Sequence, residues 1–484
     1  MKILSFSVSL LIILTLLFSC SENKSGSDEG STNTTSSISE ADSDEKSIYD
    51  NLPKGNYDGY DFKILNSESN FAFTAMSVEE LTGEALYDAI YERNSIISEN
   101  LNVNITEIVL NWDEIPKAIR EQVMSGDHIY DIICNEVHLI VPFAEEQMFI
   151  DAGTVSTLSL DMPWWNQPAM ESLKIGNKLN FLYGDLHFML YECYFPIVFN
   201  KSLIADMSLD DLYEVVDNQE WTLEKMNSYM RVASIDLNGD GIHDIEDQFG
   251  LGMYQHNTLS FYHASNISLI EKDADNIPVY KGLTENLTAT FTKISEQIFA
   301  DKNLYFFEST PKFGSLENGV HTNFNNGHIL FYIEPLGSLK KFRDVDFEIG
   351  VIPLPKFDAG QENYRSYIYH GASAITIPIT NNNLDMTGSI LEHMAAESHR
   401  SVMPVYFNVT LAFKYIQDEA SQKMLDIMFS NGQFELSRVY NWGSFANSVI
   451  DCTVKTPDKW SSNLAKFDES LPIAIEKSVN LLTN

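Results

Sequence analysis

The chain has 484 residues, with 31 Lys and Arg against 69 Asp and Glu, which gives a formal net charge of −38 at pH 7. This balance argues against a nucleic-acid partner, because contacts to phosphates need clustered Lys and Arg. The body after residue 56 is longer than the roughly 250–300 residues that one hydrophobic core supports, so two or more domains are expected.

The N-terminus predicts export and lipid attachment. Residues 1–19 contain an apolar run too short to span a bilayer, which is typical of a signal peptide. The letters LFSC that end at Cys20 resemble a bacterial lipobox, which implies cleavage before Cys20 and a diacylglycerol on its sulfur. An ordinary secretory signal that happens to contain a cysteine is the alternative. The predicted location is therefore the cell envelope, facing outside the cytoplasm, with a lipid anchor in the membrane.

Residues 20–55 predict a disordered tether. The stretch is rich in Ser and acidic residues and almost free of apolar ones. It cannot bury enough surface to offset the entropy lost on ordering. It would hold the folded body at a distance from the membrane.

From Asp61 the pattern alternates between strand and helix. DFKIL, NITEIVL and YDIICNE predict strands, and the segments between them carry apolar residues at helical spacing. This order predicts parallel crossovers and a doubly wound α/β sheet. A further helix is predicted to end at Gly153.

A second series follows after residue 190. Tyr191 to Phe199 predicts a strand, and EWTLEKMNSYMRVAS predicts a helix with Thr222 as its N-cap. The segments GHILFYIEPLGSL, FEIGVIPLPKF and GASAITIP predict more strands, and ASQKMLDIMFSNG a helix before the glycine at its end.

Five short segments follow one another along the chain: VFNKSLI, EWTLEKM, DLNGDGIHDIEDQFGL, NNGHILFYIEPLG and GVIPLPKFD. In this order they resemble the carbohydrate-type extracellular solute-binding lipoproteins of bacterial ABC transporters. The resemblance implies a periplasmic-binding-protein-like fold in which two α/β lobes, joined by crossover strands, close on a ligand by a hinge motion. Lobe one would comprise 56–190 and 372–415, and lobe two 191–371 and 416–484.

A sugar cleft needs aromatic platforms for C–H faces and polar side chains for hydroxyl groups. The residues expected to supply them are Trp164, Trp165, Asp185, Tyr191, Glu192, Glu334 and Trp442. Each also has a structural interpretation: the Trp pair suits a packing lid, and Glu334 suits a bond to backbone amides at a hinge. At most one of two adjacent Trp on an extended segment would face a ligand.

The loop DLNGDGIHDIED, residues 236–247, matches the order of oxygen ligands in an EF-hand, with Gly241 at the sharp turn. The predicted ligands of a structural Ca²⁺ are Asp236, Asn238, Asp240, Ile242 through its carbonyl, Asp244 and Asp247. Oxygen donors without His or Cys favour calcium over transition metals. A solvated turn without an ion is the alternative.

Three functions are compatible with these features. The first is a monomeric, non-catalytic receptor that captures a sugar or oligosaccharide and delivers it to an ABC permease. The second is a secreted glycosidase, whose pair of acids no sequence pattern excludes. The third is a calcium-dependent surface scaffold. The common motifs of serine hydrolases, zinc proteases and nucleotide-binding enzymes do not occur in the sequence.

Overall fold

The computed structural model describes residues 48–307, 316–407 and 419–483. Residues 1–47, with the predicted signal peptide, Cys20 and most of the tether, lie outside the described residues, as do 408–415 of predicted lobe one and 416–418 of lobe two. Residues 48–51 form a turn in which the N–H of Asn51 donates to the carbonyl of Ile48 at 3.4 Å. Residues 52–484 form one compact unit.

The first sheet, called the N-terminal sheet below, has four strands. Their spatial order is Ser373–Thr376, Ile132–Glu136, Tyr60–Ser67 and Val103–Leu110. The three strands that come early in the chain are parallel, and Ser373–Thr376 is antiparallel to its neighbour. Helices Ala85–Leu101 and Ile115–Ser125 connect the parallel strands, which confirms the predicted strand–helix alternation.

Local sequence explains these elements. Ile132, Ile133 and Cys134 are completely buried, as expected for a continuous apolar strand between two covered faces. Helix Ile115–Ser125 has a proline in its first turn and ends at Gly126, whose φ of 75° is the left-handed conformation that favours glycine.

The second sheet, called the central sheet, has five strands. Their spatial order is Ile349–Ile352, Ile197–Asn200, Ile329–Ile333, Phe249–Met253 and Tyr305–Phe307. Strand Ile197–Asn200 is antiparallel to both neighbours, while Phe249–Met253 is parallel to both of its own. These two larger sheets are flanked by helices, which confirms the predicted α/β class. Two smaller sheets have two strands each: Ser366–Tyr367 is parallel to Gly432–Gln433, and Glu271–Lys272 is antiparallel to Pro278–Val279.

The helices of the remaining chain lie around these sheets. Those before residue 300 are Val137–Glu145, Gln167–Leu173, Met189–Glu192, Lys201–Asp206, Leu212–Asp217, Leu223–Ala233, Leu259–Ala264 and Glu285–Ile294. Those after it are Leu316–Asn325, Leu384–Glu397, Met403–Val405, Glu419–Phe429, Leu436–Val439, Phe445–Val454, Trp460–Ala465 and Phe467–Thr483. The hydroxyl of Thr222 accepts from the N–H of Lys225 at 3.2 Å, which confirms this N-cap. Within the described ranges, no helix combines the length and hydropathy needed to cross a membrane.

Two sequence predictions are wrong in detail. The helix expected to reach Gly153 ends at Glu145, because the chain turns at Gln147 with a φ of 58° and then pairs with residues 377–379. The strand expected from Tyr191 begins only at Ile197, because Met189–Glu192 forms a short helix. In both places a contact distant in sequence outweighs the local pattern.

The C-terminal helices contact elements of both sheets. Helix Leu436–Val439 packs on Val137–Glu145, which follows a strand of the N-terminal sheet, and Phe467–Thr483 packs on the same helix. Helix Glu419–Phe429 packs on strand Ile349–Ile352 of the central sheet. The lobe boundaries given above stay a prediction.

Candidate functional site

The carboxyl ends of strands from both sheets meet at one place. A Cβ atom on Gly337, which follows strand Ile329–Ile333, would lie 2.7 Å from the carbonyl oxygen of Phe71 and 2.9 Å from Oε2 of Glu192. Phe71 follows strand Tyr60–Ser67 of the N-terminal sheet, so only glycine fits at this approach. In open α/β sheets, ligands bind outside the carboxyl ends of the strands.

The polar and aromatic residues at this junction form what we call the junction cluster. It is defined as Phe71, Glu136, His138, Glu192, His256, Glu334, Tyr369, His370 and Arg438. Glu136 ends a strand of the N-terminal sheet and His138 begins the next helix, while His256 and Glu334 follow strands of the central sheet. Tyr369 and His370 lie between strands Ser366–Tyr367 and Ser373–Thr376.

Tyr369 lies between the two sheets. Its ring contacts Phe71 edge-on with a centroid distance of 6.0 Å and lies 6.1 Å from Phe195. Burial, followed by the negative charge of Glu136 and a smaller contribution from Glu334, raises the pKa of Tyr369 to about 12. The phenol therefore stays protonated and half-buried beside a carboxylate from each sheet.

Two carboxyl groups of the cluster have perturbed acidities. Burial raises the pKa of Glu136 to about 7, and its Oε2 lies 3.5 Å from Nδ1 of His138. Burial also raises the pKa of Glu192 to about 7, although the N–H of Phe73 and the Tyr406 hydroxyl favour the charged form. Such shifts mark functional sites when the groups lie in a concavity.

The histidines of the cluster are neutral at neutral pH. The rings of His138 and His370 meet edge-on at 4.8 Å, and Nδ1 of His138 lies 3.1 Å from the carbonyl oxygen of His370. Burial, followed by the positive charge of Arg438, depresses the pKa of His370 far below its ordinary value and that of His256 to about 4.

His256 reaches solvent and is nevertheless largely surrounded by protein. Its side chain is exposed, yet burial is the main cause of its lowered pKa. A residue in the wall of a concave surface combines these two properties. Neutral imidazoles both donate and accept hydrogen bonds, as sugar hydroxyl groups do.

Two of the predicted ligand residues, Glu192 and Glu334, belong to the junction cluster. Glu334 is buried and accepts from the Tyr332 hydroxyl at 3.1 Å, while Nε2 of His321 lies 3.9 Å from the same oxygen. Asp185 and Tyr191 form a separate network: the carboxylate of Asp185 accepts from the Tyr191 hydroxyl and lies 2.5 Å from Nδ1 of His399.

The three predicted tryptophans lie in the interior. Trp164 and Trp165 are 1% and 3% exposed, and their indole N–H groups donate to the two oxygens of Glu392 at 2.8 and 3.1 Å. Trp442 is also buried; it stacks on Tyr440 and donates to the hydroxyl of Ser478 at 2.7 Å. In this conformation their faces are covered by protein, and their role in ligand binding stays a prediction.

The sequence interpretation missed seven of the nine residues of the cluster: Glu136, His138, Phe71, His256, Tyr369, His370 and Arg438. A signal for the first two was present, because Glu136 and His138 lie within four residues after the apolar run that ends at Cys134. Nothing local marks Arg438, whose position depends on a helix that returns to the junction late in the chain.

The loop 236–247 is closed by hydrogen bonds between its side chains and its own backbone. The two oxygens of Asp236 accept from the N–H groups of Gly239 and Gly241 at 2.7 and 2.9 Å, and Asp240 accepts from Ile242 at 2.7 Å. Asp247 accepts from Leu237 and Asp244. Across the described ranges, no group of three or more His, Cys, Asp or Glu side chains is arranged to hold a metal ion.

Neither a protein-family model nor a curated protein sequence matches the chain. Solved structures do. The sugar-binding protein MalE from Xanthomonas citri superposes with a TM-score of 0.58 at 12% identity, over 86% of this chain and 98% of the other. The chain has the fold of these binding proteins.

Two further structures support the same fold. A cyclo/maltodextrin-binding protein complexed with maltotetraose gives a TM-score of 0.54 at 10% identity, over 89% of this chain and 98% of that chain. The ABC substrate-binding protein Lmo0181 from Listeria monocytogenes, in complex with cycloalternan, gives 0.51 at 11% identity, over 88% and 98%. In all three comparisons, the superposition covers almost the whole of the other protein, so the likeness extends over both sheets.

Proposed function

We propose that this protein is a lipid-anchored receptor outside the cytoplasm that binds a sugar or oligosaccharide at the junction cluster and delivers it to an ABC importer. The observation that carries the proposal is the position of Tyr369, whose ring contacts Phe71, after the first strand of the N-terminal sheet, and lies 6.1 Å from the ring of Phe195, before the first strand of the central sheet. A ligand that contacts Glu136 and Glu334 at once would hold the two sheets together.

The chemistry of the cluster suits a carbohydrate. Phe71 and Tyr369 offer aromatic surface for the C–H faces of a pyranose. Glu136, His138 and His256 offer acceptors and donors for its hydroxyl groups. Two of the solved structures with this fold are complexes with maltotetraose and with cycloalternan, which supports the ligand class.

The fold and the N-terminus together support the proposed delivery to an importer. The fold is that of ABC substrate-binding proteins, and closure of two sheets over a ligand is a familiar hinge motion. Cys20 and the acidic segment after it would keep a monomeric receptor close to its permease. These steps are part of the proposal.

The proposal is tested by thermal unfolding of the protein, purified from detergent-solubilised membranes, in the presence of a glycan panel. A glycan at 100 times its Kd stabilises the folded state by about 2.7 kcal/mol. Tyr369→Ala and Glu136→Ala should each abolish the gain. Tyr130→Ala is the matched control. Tyr130 precedes strand Ile132–Glu136, so it lies at the end of that strand opposite to Glu136.

The same samples separate the receptor from a glycosidase. Glu136 and Glu192, with pKa values near 7, have the acidity of general acids, so hydrolysis deserves a direct measurement. Stabilisation by a glycan that is recovered intact supports the receptor. Release of shorter products, or a panel without any stabilising glycan, contradicts it.

We also propose that loop 236–247 binds a structural Ca²⁺. The donor types and their order fit calcium, and Gly239 and Gly241 have φ values of 75° and 78° that permit the tight turn. The carboxylates would have to turn from their present backbone partners toward the ion. The loop connects helix Leu223–Ala233 to strand Phe249–Met253, so the ion would stabilise this connection.

A further inference from the structure

A concavity lies apart from the residues of the junction cluster. Its volume is about 620 Å³, and its walls come from the end of helix Leu259–Ala264, from helix Glu285–Ile294, and from the loop 357–365. No residue of the junction cluster lines it. The volume lies within the roughly 300–1,000 Å³ that is usual for small-molecule sites.

Carboxamides dominate the lining. Five of them face the cavity: Asn266, Asn286, Gln361, Asn363 and Asn431. Each carboxamide presents an acceptor oxygen and two donor hydrogens, which matches the ability of a hydroxyl group to do both. The charged residues of the lining are Asp358, Glu362 and Arg365, so their charges nearly cancel.

The wall is preorganised. The side-chain amide of Gln361 donates to the carbonyl oxygens of Ala264 and Asn363 at 2.7 and 2.8 Å and accepts from the N–H of Phe357 at 3.0 Å. These bonds fix the loop against the end of the helix. Arg365 is held by Asn266 and Gln433, the second at 3.0 Å.

Polar groups without protein partners remain in the lining. Within the described part of the chain, the side-chain amides of Asn286, Asn363 and Asn431 make no hydrogen bond to protein. All three residues are exposed, so a polar molecule in the cavity reaches their amides without displacing a protein partner.

We propose that this cavity is a second binding site, for a neutral, hydroxyl-rich ligand of mono- or disaccharide size. Phe357, Ile267 and Ala289 supply apolar wall for C–H groups, and the carboxamides supply partners for hydroxyl groups. An anion is disfavoured, because the lining has two carboxylates against one guanidinium and the whole chain carries a net charge of −38.

The test uses maltose as the probe and saturation-transfer NMR on the protein purified from detergent-solubilised membranes. All proteins carry Tyr369→Ala, which disables the junction cluster, so only the second site reports. Adding Ala289→Trp fills the cavity from an exposed helical position and should reduce maltose saturation at least fivefold. Asn286→Leu should reduce it at least twofold without filling the cavity.

Thr288→Trp is the matched control, because Thr288 is an exposed neighbour on the same helix and is not part of the lining. Its maltose signal should stay within twofold of the parent. Equal signals in the Ala289→Trp protein and the parent, or no signal in the parent, would overturn the second site. A glucuronate signal larger than the maltose signal would overturn its neutral character.

The outcomes remain separate from those of the proposed receptor function. In the thermal-unfolding test, stabilisation by a glycan that is lost in Tyr369→Ala supports the receptor, whatever the maltose signal of the second site. In the NMR test, a maltose signal of the Tyr369→Ala protein that is lost when Ala289→Trp is added supports the second site, whatever the glycan panel shows.

Discussion

The backbone N–H of Phe73 donates to Oε2 of Glu192 at 2.6 Å. Phe73 lies in the segment after the first strand of the N-terminal sheet, and Glu192 ends the short helix that precedes the first strand of the central sheet. The bond therefore connects a loop of the N-terminal sheet to the segment that leads into the central sheet. The group that accepts this bond is the Glu192 carboxylate, and burial raises its pKa.

Glu192→Gln should stabilise the protein at alkaline pH. The folded-state pKa is about 7, above the roughly 4.3 of an unfolded Glu. The folded protein therefore holds the proton longer, and this residue makes stability fall as pH rises from about 4.5 to 7. The neutral amide avoids that loss, which amounts to about 4 kcal/mol at pH 8.

The measurement is urea unfolding of wild type and variant at pH 5 and pH 8. At pH 5 the two proteins should be about equally stable, because the wild-type carboxyl group is then mostly protonated in the folded state. A constant difference at both values of pH would contradict ionisation as the cause. Glu397→Gln serves as a control on a half-buried carboxylate that pairs with Arg400 instead.

Glu392→Leu should destabilise the fold and leave ligand affinity unchanged. The Glu392 carboxylate accepts from Trp164, Trp165 and the N–H of Ser159. Its removal leaves buried donors unsatisfied, at a cost of about 1–3 kcal/mol. Urea unfolding gives the stability, and calorimetric titration with a stabilising glycan gives the affinity.

Loss of glycan affinity in that variant, with the fold intact, would mean that the tryptophan pair acts on the ligand after all. The control is Glu397→Leu, which lies on the same helix Leu384–Glu397. It should reduce stability less than Glu392→Leu, because its partner Arg400 is exposed to solvent.

The parts of the fold that depend on local sequence were predictable. The apolar strand Ile132–Glu136 and the Thr222 N-cap follow from side chains within a few residues of each other. The helix Met189–Glu192 was not, because the apolar and aromatic residues from Tyr191 to Phe199 favour a strand. Its Glu192 is held by Phe73, which lies more than a hundred residues away.

The candidate site shows the same limit. Glu192 and Glu334 could be selected as acidic residues in apolar surroundings, and both reach the junction cluster. Tryptophan was expected to supply the aromatic platform, but Phe71 and Tyr369 lie at the junction. A sequence gives the chemistry of a ring, whereas its exposure depends on packing: Glu392, more than two hundred residues further along the chain, accepts from both indoles of the tryptophan pair.

Arg438→Met should raise the pKa of His256. The positive charge of Arg438 is the second cause of the lowered pKa, after burial. The value should therefore rise from about 4 and stay below the ordinary value, because burial remains. Titration of the histidine ring protons by NMR gives the pKa directly.

Arg231→Met is the control, because Arg231 pairs with Asp301 and does not contribute to the shift. An unchanged His256 would place Arg438 outside the cluster.

Asp240→Ala tests calcium binding to loop 236–247. Asp240 is exposed and accepts only from the N–H of Ile242, so its loss should change stability little when no ion is bound. With an ion bound, one of the carboxylate ligands disappears and the affinity falls. Because a lone extracellular loop binds calcium with a Kd of about 10⁻⁴–10⁻³ M, the melting temperature is measured at 10 mM CaCl₂ and in EDTA.

Wild type should melt higher in calcium, and Asp240→Ala should melt at the same temperature in both. Glu246→Ala, in the same loop and outside the predicted ligand set, should keep the calcium response. Equal destabilisation of Asp240→Ala in calcium and in EDTA would mean that the loop is stabilised by its own hydrogen bonds alone.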